Sequence, residues 1–303
     1  LPNVIGNGVQ VRSVDQAAIR SEIDLGTSSI LSLNQKTSTV TYGASTVAGS
    51  SLGIAGAISY NEVRSGSSAT IRNASVEALM GDIVVEAIEA AVIEARTTSE
   101  LAASSEDISK KRVGSNRSLG VSGLVSINLV LNASSARLED AIVVTFDTAP
   151  NSGDVRIESR NEALIEALTI NAVDVSLARP GKPQPSSSGV TSADAFGVTI
   201  AFNSIGWDSQ NILFNTVDAL LGDTLVADAF GAEVGAGAEA IVLDSRILAA
   251  GAVSFVARAE AQIQSKITNQ SSATSSGRNG IQALSLGAVL AMNKVSGRAV
   301  AEI

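Results

Sequence analysis

The sequence predicts an all-β chain of stacked repeats, a flattened β-solenoid of long strands. Three observations lead there. An apolar run ending in Asn recurs four times, and a Gly-led block with two-residue alternation recurs three times. The third is the material for a core: 303 residues are 45% apolar but only 3% aromatic, with no His and no Cys. That apolar share is almost entirely Ala, Val, Ile and Leu, side chains that let sheets approach closely. Stacked repeats of β-sandwich type are the alternative arrangement of the same strands.

The Asn runs come first. GAISYNEV, GLVSINLV, TIAFNSI and AVLAMNKV carry Asn61, Asn128, Asn203 and Asn293, at intervals of 67, 75 and 90 residues. Two residues after each Asn comes Val63, Val130, Ile205 or Val295; eight after comes Ala69, Ala136, Asn211 or Ala301. Ten after comes Ile71, Leu138, Leu213 or Ile303. A degenerate fifth copy has Val9 in the Asn place, then Val11, Ala17 and Ile19. Stacked in register, the four Asn form a ladder, each amide bonded to the next. A repeated inward Asn requires repeated partners, because an unpaired buried amide costs about 1–3 kcal/mol. Asn placed in turns or facing water is the other reading.

The Gly-led block reads GDIVVEAIEAAVIEA from Gly81, GDVRIESRNEALIEA from Gly153 and GAVSFVARAEAQIQS from Gly251. Taken singly, the Ala/Glu-rich first copy has helical propensity. Aligned, the positions two, four, six, ten, twelve and fourteen after the Gly are small or apolar in every copy, as in Ile83, Val85, Ala87, Ala91, Ile93 and Ala95. A period of two held over that length belongs to a strand and not to a 3.6-residue helix.

Each unit is therefore a long strand through the Asn, a short strand, a Gly turn and a second long strand. The units fall at about 1–50, 51–117, 118–195, 196–283 and 284–303, the last incomplete, in one continuous array. Polar connections at 96–118, 178–194 and 269–279 share one phase, so stacking lines them along one edge; the second holds Pro180, Pro183 and Pro185. An extra segment between 214 and 238 repeats a turn-like LLGD and reads as a partial duplication. The chain opens at Leu1 without a basic-then-apolar leader and stops at Ile303 inside the pattern. The expectation is a piece of a longer chain whose repeat continues.

Composition excludes several function classes. Without His or Cys there is no Ser-His-Asp triad, thiolate nucleophile or structural zinc site. With 21 basic against 30 acidic residues, clustered phosphate contacts and hence nucleic-acid binding are not expected. No apolar stretch reaches the roughly 18 residues of a membrane helix. One Trp and two Tyr cannot build the aromatic girdles of an outer-membrane barrel.

The remaining candidates read as follows. Gly81-Asp82, Gly153-Asp154 and Gly222-Asp223 suit turns; calcium, the minor reading, needs more converging oxygens. Otherwise no cofactor is expected. Glu86, Glu89, Glu94, Glu158, Glu162 and Glu166 offer carboxylate pairs for glycoside hydrolysis. Glu86 and Glu158 share a repeat position, as do Glu94 and Glu166, and both positions are odd in the strand count, which reads as solvated outward faces. No enzyme is expected. Lys110, Lys111 and Arg112, with Arg117, form a basic cluster in the first connection, an interaction point for an acidic partner. Trp207, in a Gly-Trp-Asp sequence, either stacks on sugar or anchors the extra segment between 214 and 238.

The order of apolar Gly/Val-rich strand, N-x-V, A-x-I and then G-D-V-x-V-x-A resembles the β-strand repeats of very large bacterial surface adhesins and exoproteins. It is similar to filamentous-haemagglutinin and autotransporter-passenger solenoids, in repeat pattern over nearly the whole chain. The resemblance implies a bacterial protein, secreted or displayed on the cell surface, in adhesion or extracellular matrix. The expected function is a structural stalk or filament segment whose partners are its own neighbouring repeats. The alternatives are a glycan-binding or glycan-cleaving β-helix and a self-assembling extracellular fibre subunit.

Overall fold

The structure is a computed structural model that describes residues 1–33, 50–107, 116–146, 153–178, 191–207, 235–276 and 281–303. Every regular element among them is a strand, and every strand pair is parallel. The chain is all-β, with its parallel strands in stacked sheets.

Three sheets repeat the order found in each unit. Sheet A holds the short strands β1 (Asn3–Gly6), β4 (Ser75–Ala78), β7 (Ile142–Thr145) and β11 (Arg246–Leu248). Sheet B holds the Gly-led strands β2 (Val9–Leu33), β5 (Ile83–Asp107), β8 (Val155–Ala178) and β12 (Val253–Ser275). Sheet C holds the Asn strands: β3 (Ser50–Arg72), β6 (Asn116–Glu139), β9 (Thr191–Ile205) with β10 (Ala236–Leu243), and β13 (Ile281–Val295) with β14 (Gly297–Glu302). A 25-residue strand such as β5 is about 80 Å long at roughly 3.3 Å per residue. Sheets B and C face each other along that length, and sheet A joins them at one end.

The corner from sheet C to sheet A is the same in three units. Asn73, Asp140 and Asp244 each take a left-handed backbone, with φ of 49°, 50° and 44°. Asn and Asp tolerate that region best among residues with a side chain. The backbone bonds Asn73 N–H to Glu139 O (3.0 Å) and Asp140 N–H to Leu243 O (3.1 Å) carry the stacking around the corner.

Packing follows the inward half of each alternation. One buried cluster near sheet A contains Ile83, Val85, Leu138, Val143 and Ile157. A middle cluster contains Val63, Ile93, Val130, Ile165 and Ile205, and a third, near the connections, contains Leu101, Val173, Val175 and Leu177. Each fully buried aliphatic side chain contributes about 1.5–3 kcal/mol relative to exposure. The sheets close tightly at the third cluster. A Cβ on Gly120 would lie 2.6 Å from Val175 Cγ2, so any side chain there would have to push the valines of sheet B aside.

The register corrects four readings of the sequence. First, Val9 pairs with Ile83, Val11 with Val85 and Ala17 with Ala91, so this segment is a fourth Gly-led strand and not a fifth Asn copy. Its alternation fits either column; the preceding short strand β1, paired with β4, decides.

Second, in the fourth unit Ala136 pairs with Ala240 and Leu138 with Val242, which replace Asn211 and Leu213. Asn211, Leu213 and the LLGD sequence lie outside the described residues. The long strand is interrupted after Ile205 and resumes at Ala236. Gly206 and Gly235, with φ of 77° and 67°, bracket the break, and Gly235 N–H donates to Gly206 O at 3.0 Å. A Cβ on Gly206 would collide with the Ser296 carbonyl oxygen.

Third, the polar stretches starting at Arg96 and Asn269 are largely strand, because β5 runs to Asp107 and β12 to Ser275. Small polar side chains there, such as Thr97 and Ser99, are buried and continue the inward alternation. Fourth, Glu158 is not solvated: it is 1% exposed, closed over by Arg156 and Arg160 on its own strand.

Candidate functional site

Two polar bands cross the interior along the stacking direction, one on each side of the middle apolar cluster. The first is the Asn column. Register places Asn61 beside Asn128, Asn128 beside Asn203 and Asn203 beside Asn293. Asn61 Nδ2 donates to Asn128 Oδ1 at 2.8 Å, Asn128 Nδ2 to Asn203 Oδ1 at 2.8 Å, and Asn203 Nδ2 to Asn293 Oδ1 at 2.7 Å. Asn61, Asn128 and Asn203 are buried, and Asn293 at the end of the column is exposed. The second amide protons of Asn61 and Asn203 go to Ser59 and Ser265.

The second band escaped sequence reasoning. It lies at the one inward position of the Gly-led block that the apolar pattern skips, eight residues after the Gly. Asp15, Glu89 and Asn161 stand there in register on β2, β5 and β8. Ser65 and Asn132 face them from β3 and β6. Asn132 Nδ2 donates to Asn161 Oδ1 at 2.5 Å, and Asn161 Nδ2 donates to the carbonyls of Asn132 and Gly237, both at 3.1 Å. Glu89 is fully buried and accepts from the Ser65 hydroxyl. Burial pushes its carboxyl above the usual range; the Ser65 bond works against that and the Asp15 charge adds to it. Glu89 Oε2 and Asn132 Oδ1 make no hydrogen bond to the described residues. The signal was available: a polar residue at an even position in two copies, with Asn132 four residues after Asn128.

The Gly-Asp turns use their carboxylates as caps for the next unit. Asp82 Oδ1 accepts from Asp154 N–H at 2.9 Å, and Asp154 Oδ1 accepts from Ala252 N–H at 2.8 Å. Gly153 has φ of 65°. Gly222 and Asp223 lie outside the described residues. Among the described residues no three or more Asp and Glu side chains converge as metal ligands would.

Of the carboxylates considered for hydrolysis, Glu86 and Glu158 are paired on adjacent strands, as are Glu94 and Glu166. Arg12 holds Glu86 at 2.8 Å, and Arg20 Nε holds Glu94 at 2.6 Å. Glu162 is exposed. Glu94 and Glu166 flank a shallow groove of about 520 Å³ across the outer face of sheet B, with Arg20, Glu22, Arg96 and Lys266 on its walls. Charges of both signs line it, and no aromatic side chain does.

Lys110, Lys111 and Arg112 lie outside the described residues. The nearby Arg117 pairs with Asp194 at 3.1 Å. Trp207 follows the Gly206 break on the outer face of sheet C, against a cluster of Ile127, Leu129, Ile200 and Phe202. Lys294 Nζ stands 3.3 Å from the centroid of its ring. This indole is already engaged by a cation and apolar neighbours, as an anchor of the interrupted unit would be.

No protein-family description, curated protein or solved structure matches this chain.

Proposed function

We propose that the chain is a structural segment, a β-solenoid of wide flattened coils whose task is mechanical. The single observation that supports this reading most is the continuity of pairing. β5, for example, is matched residue for residue to both neighbours from Ile83 to Glu106, so each unit boundary is held along its whole width. Each strand adds only about 4.8 Å along the stacking direction. A wide, short-rise stack resists bending, and a long stalk on this plan requires many units.

The repeat pattern resembling bacterial surface adhesins and exoproteins supports a secreted or surface-displayed segment in adhesion or matrix, partnered by its own neighbouring repeats. The open ladder edges of β2 and β13 suit continuation by further units or growth into a fibre. A glycan-binding role is the second reading, and the groove beside Glu94 and Glu166 favours it.

The test places a reporter domain at each end and measures the distance between them by small-angle scattering. A structural segment holds one narrow separation that soluble glycans do not change. A broad separation, or one that shifts with saturable glycan binding, contradicts the structural reading.

A further inference from the structure

The outer faces of the two long sheets differ in kind. On sheet B most outward columns carry charge, as in Arg12–Glu86 and Arg20–Glu94. On sheet C, the outward positions from Ile54 to Tyr60 and their register partners on β6, β9 and β13 contain no charged residue. Ile54 is 68% exposed, Ile58 61% and Leu286 58%, with Leu52, Val198 and Leu284 also open to solvent. The sequence cause is direct. Runs such as GIAGAIS, GVSGLVSI and LSLGAVLAM are apolar at consecutive positions, the pattern of a strand covered on both faces. The inner face is covered by sheet B, and the outer half of the pattern has no described element over it beyond the Trp207 end.

We propose that this face pairs with the same face of a second copy of the chain, two sheets packing face to face in an isologous dimer. Three features select that occupant. The open part of the field runs from Leu52 on the rim to Ile58, with their register partners, and stops at the buried Ile127, Ile200 and Phe202. It spans four strands and about six residues, roughly 20 Å by 20 Å, so a pair buries on the order of 800 Å², the size of a weak, transient contact. The chain carries a net charge of −9, so two copies repel everywhere except where neither presents charge. The rim is balanced and not basic: Arg117 is paired with Asp194 on one side, and Glu62 is bonded by Arg64 on the other. An anionic lipid surface would favour an excess of Lys and Arg there.

Sedimentation velocity over a dilution series, from about 1 µM to about 200 µM, reads the association directly. The expected result is a monomer–dimer equilibrium in the micromolar range, weakened at least about tenfold by Ile54→Glu and by Ile58→Glu. Both side chains are exposed, so the variants keep the wild-type melting temperature, which is measured alongside. A wild-type chain that stays monomeric at the highest concentration overturns the proposal. So does a dimer unaffected by both variants, which would join through strand edges. Binding of the wild type, but not Ile54→Glu, to phosphatidylcholine vesicles without dimerisation would assign the face to lipid and equally overturn it.

Discussion

Asn128 and Asn203 are 75 residues apart in the chain, yet the carboxamide of one donates to the other at 2.8 Å inside the protein. That bond holds only if two units are stacked in a single register, since a slip of one residue turns every side chain to the opposite face. Asn128 is also the acceptor for Asn61, so it sits in two bonds of the column. Asn128→Ala leaves a buried donor on Asn61 and a buried acceptor on Asn203. The expected loss is about 2–4 kcal/mol, measured by denaturant unfolding. Asn293→Ala, at the exposed end, is expected to cost less than half as much.

Glu89 makes stability depend on pH with a defined sign. Its folded carboxyl titrates above the ordinary value of 4.5. A raised carboxyl favours the folded state fully below that value, and this contribution is lost as pH rises from 4.5 through the folded value. Asp15 is the titratable group facing it; Ser65, Asn132 and Asn161 are neutral. Glu89→Gln keeps the shape and removes the titration. Its melting temperature, taken relative to wild type, is therefore expected to be higher at pH 8 than at pH 4. An equal difference at both pH values would show that Glu89 does not titrate in this range.

The close approach of the long sheets at Gly120 has a steric consequence. Gly120→Val is expected to destabilise by about 1–3 kcal/mol through overpacking against Val175 and Val173. The same change at Gly123, where a Cβ meets nothing within 4 Å, is expected to be far milder. Thermal unfolding of the two variants side by side separates crowding from any general cost of losing glycine.

Trp207 is the only indole, so its fluorescence reports on the break in the fourth unit. Lys294→Met removes the cation over the ring. The expected outcome is a shift in emission and a loss of about 0.5–1 kcal/mol. Emission identical to wild type would place the lysine away from the ring in solution.

How much of this was legible in the sequence depends on which physical signal each residue carries. The Gly-led strands were readable because three aligned copies outvote the helical propensity of the Ala/Glu-rich first one. Alternation alone could not tell which column Val9 belongs to, because both inward columns take small and branched residues; only pairing with Ile83 does. Asn211 was misplaced because the break after Gly206 is invisible to a gap-free template, although its two glycines were present to mark it. Thr97 and Ser99 read as connection because buried small polar side chains look like loop composition. Glu158 read as solvated because strand parity gives the face but not the two arginines that close over it. The band at Asp15, Glu89 and Asn161 was hidden because an inward carboxylate breaks the apolar rule used to find inward positions.

The central claim is parallel stacking of consecutive units in one register, and a disulfide tests it most directly. The chain has no native Cys, so introduced pairs report without interference. Ser68 and Ser135 are register partners on the outer face of β3 and β6, about 4.8 Å apart across the ladder. Ser134, one residue earlier, is buried on the opposite face. Under mild oxidation the Ser68→Cys/Ser135→Cys protein is expected to form an intramolecular disulfide, and Ser68→Cys/Ser134→Cys to remain reduced. A bond that forms equally in both pairs, or in the second alone, contradicts the stacked register.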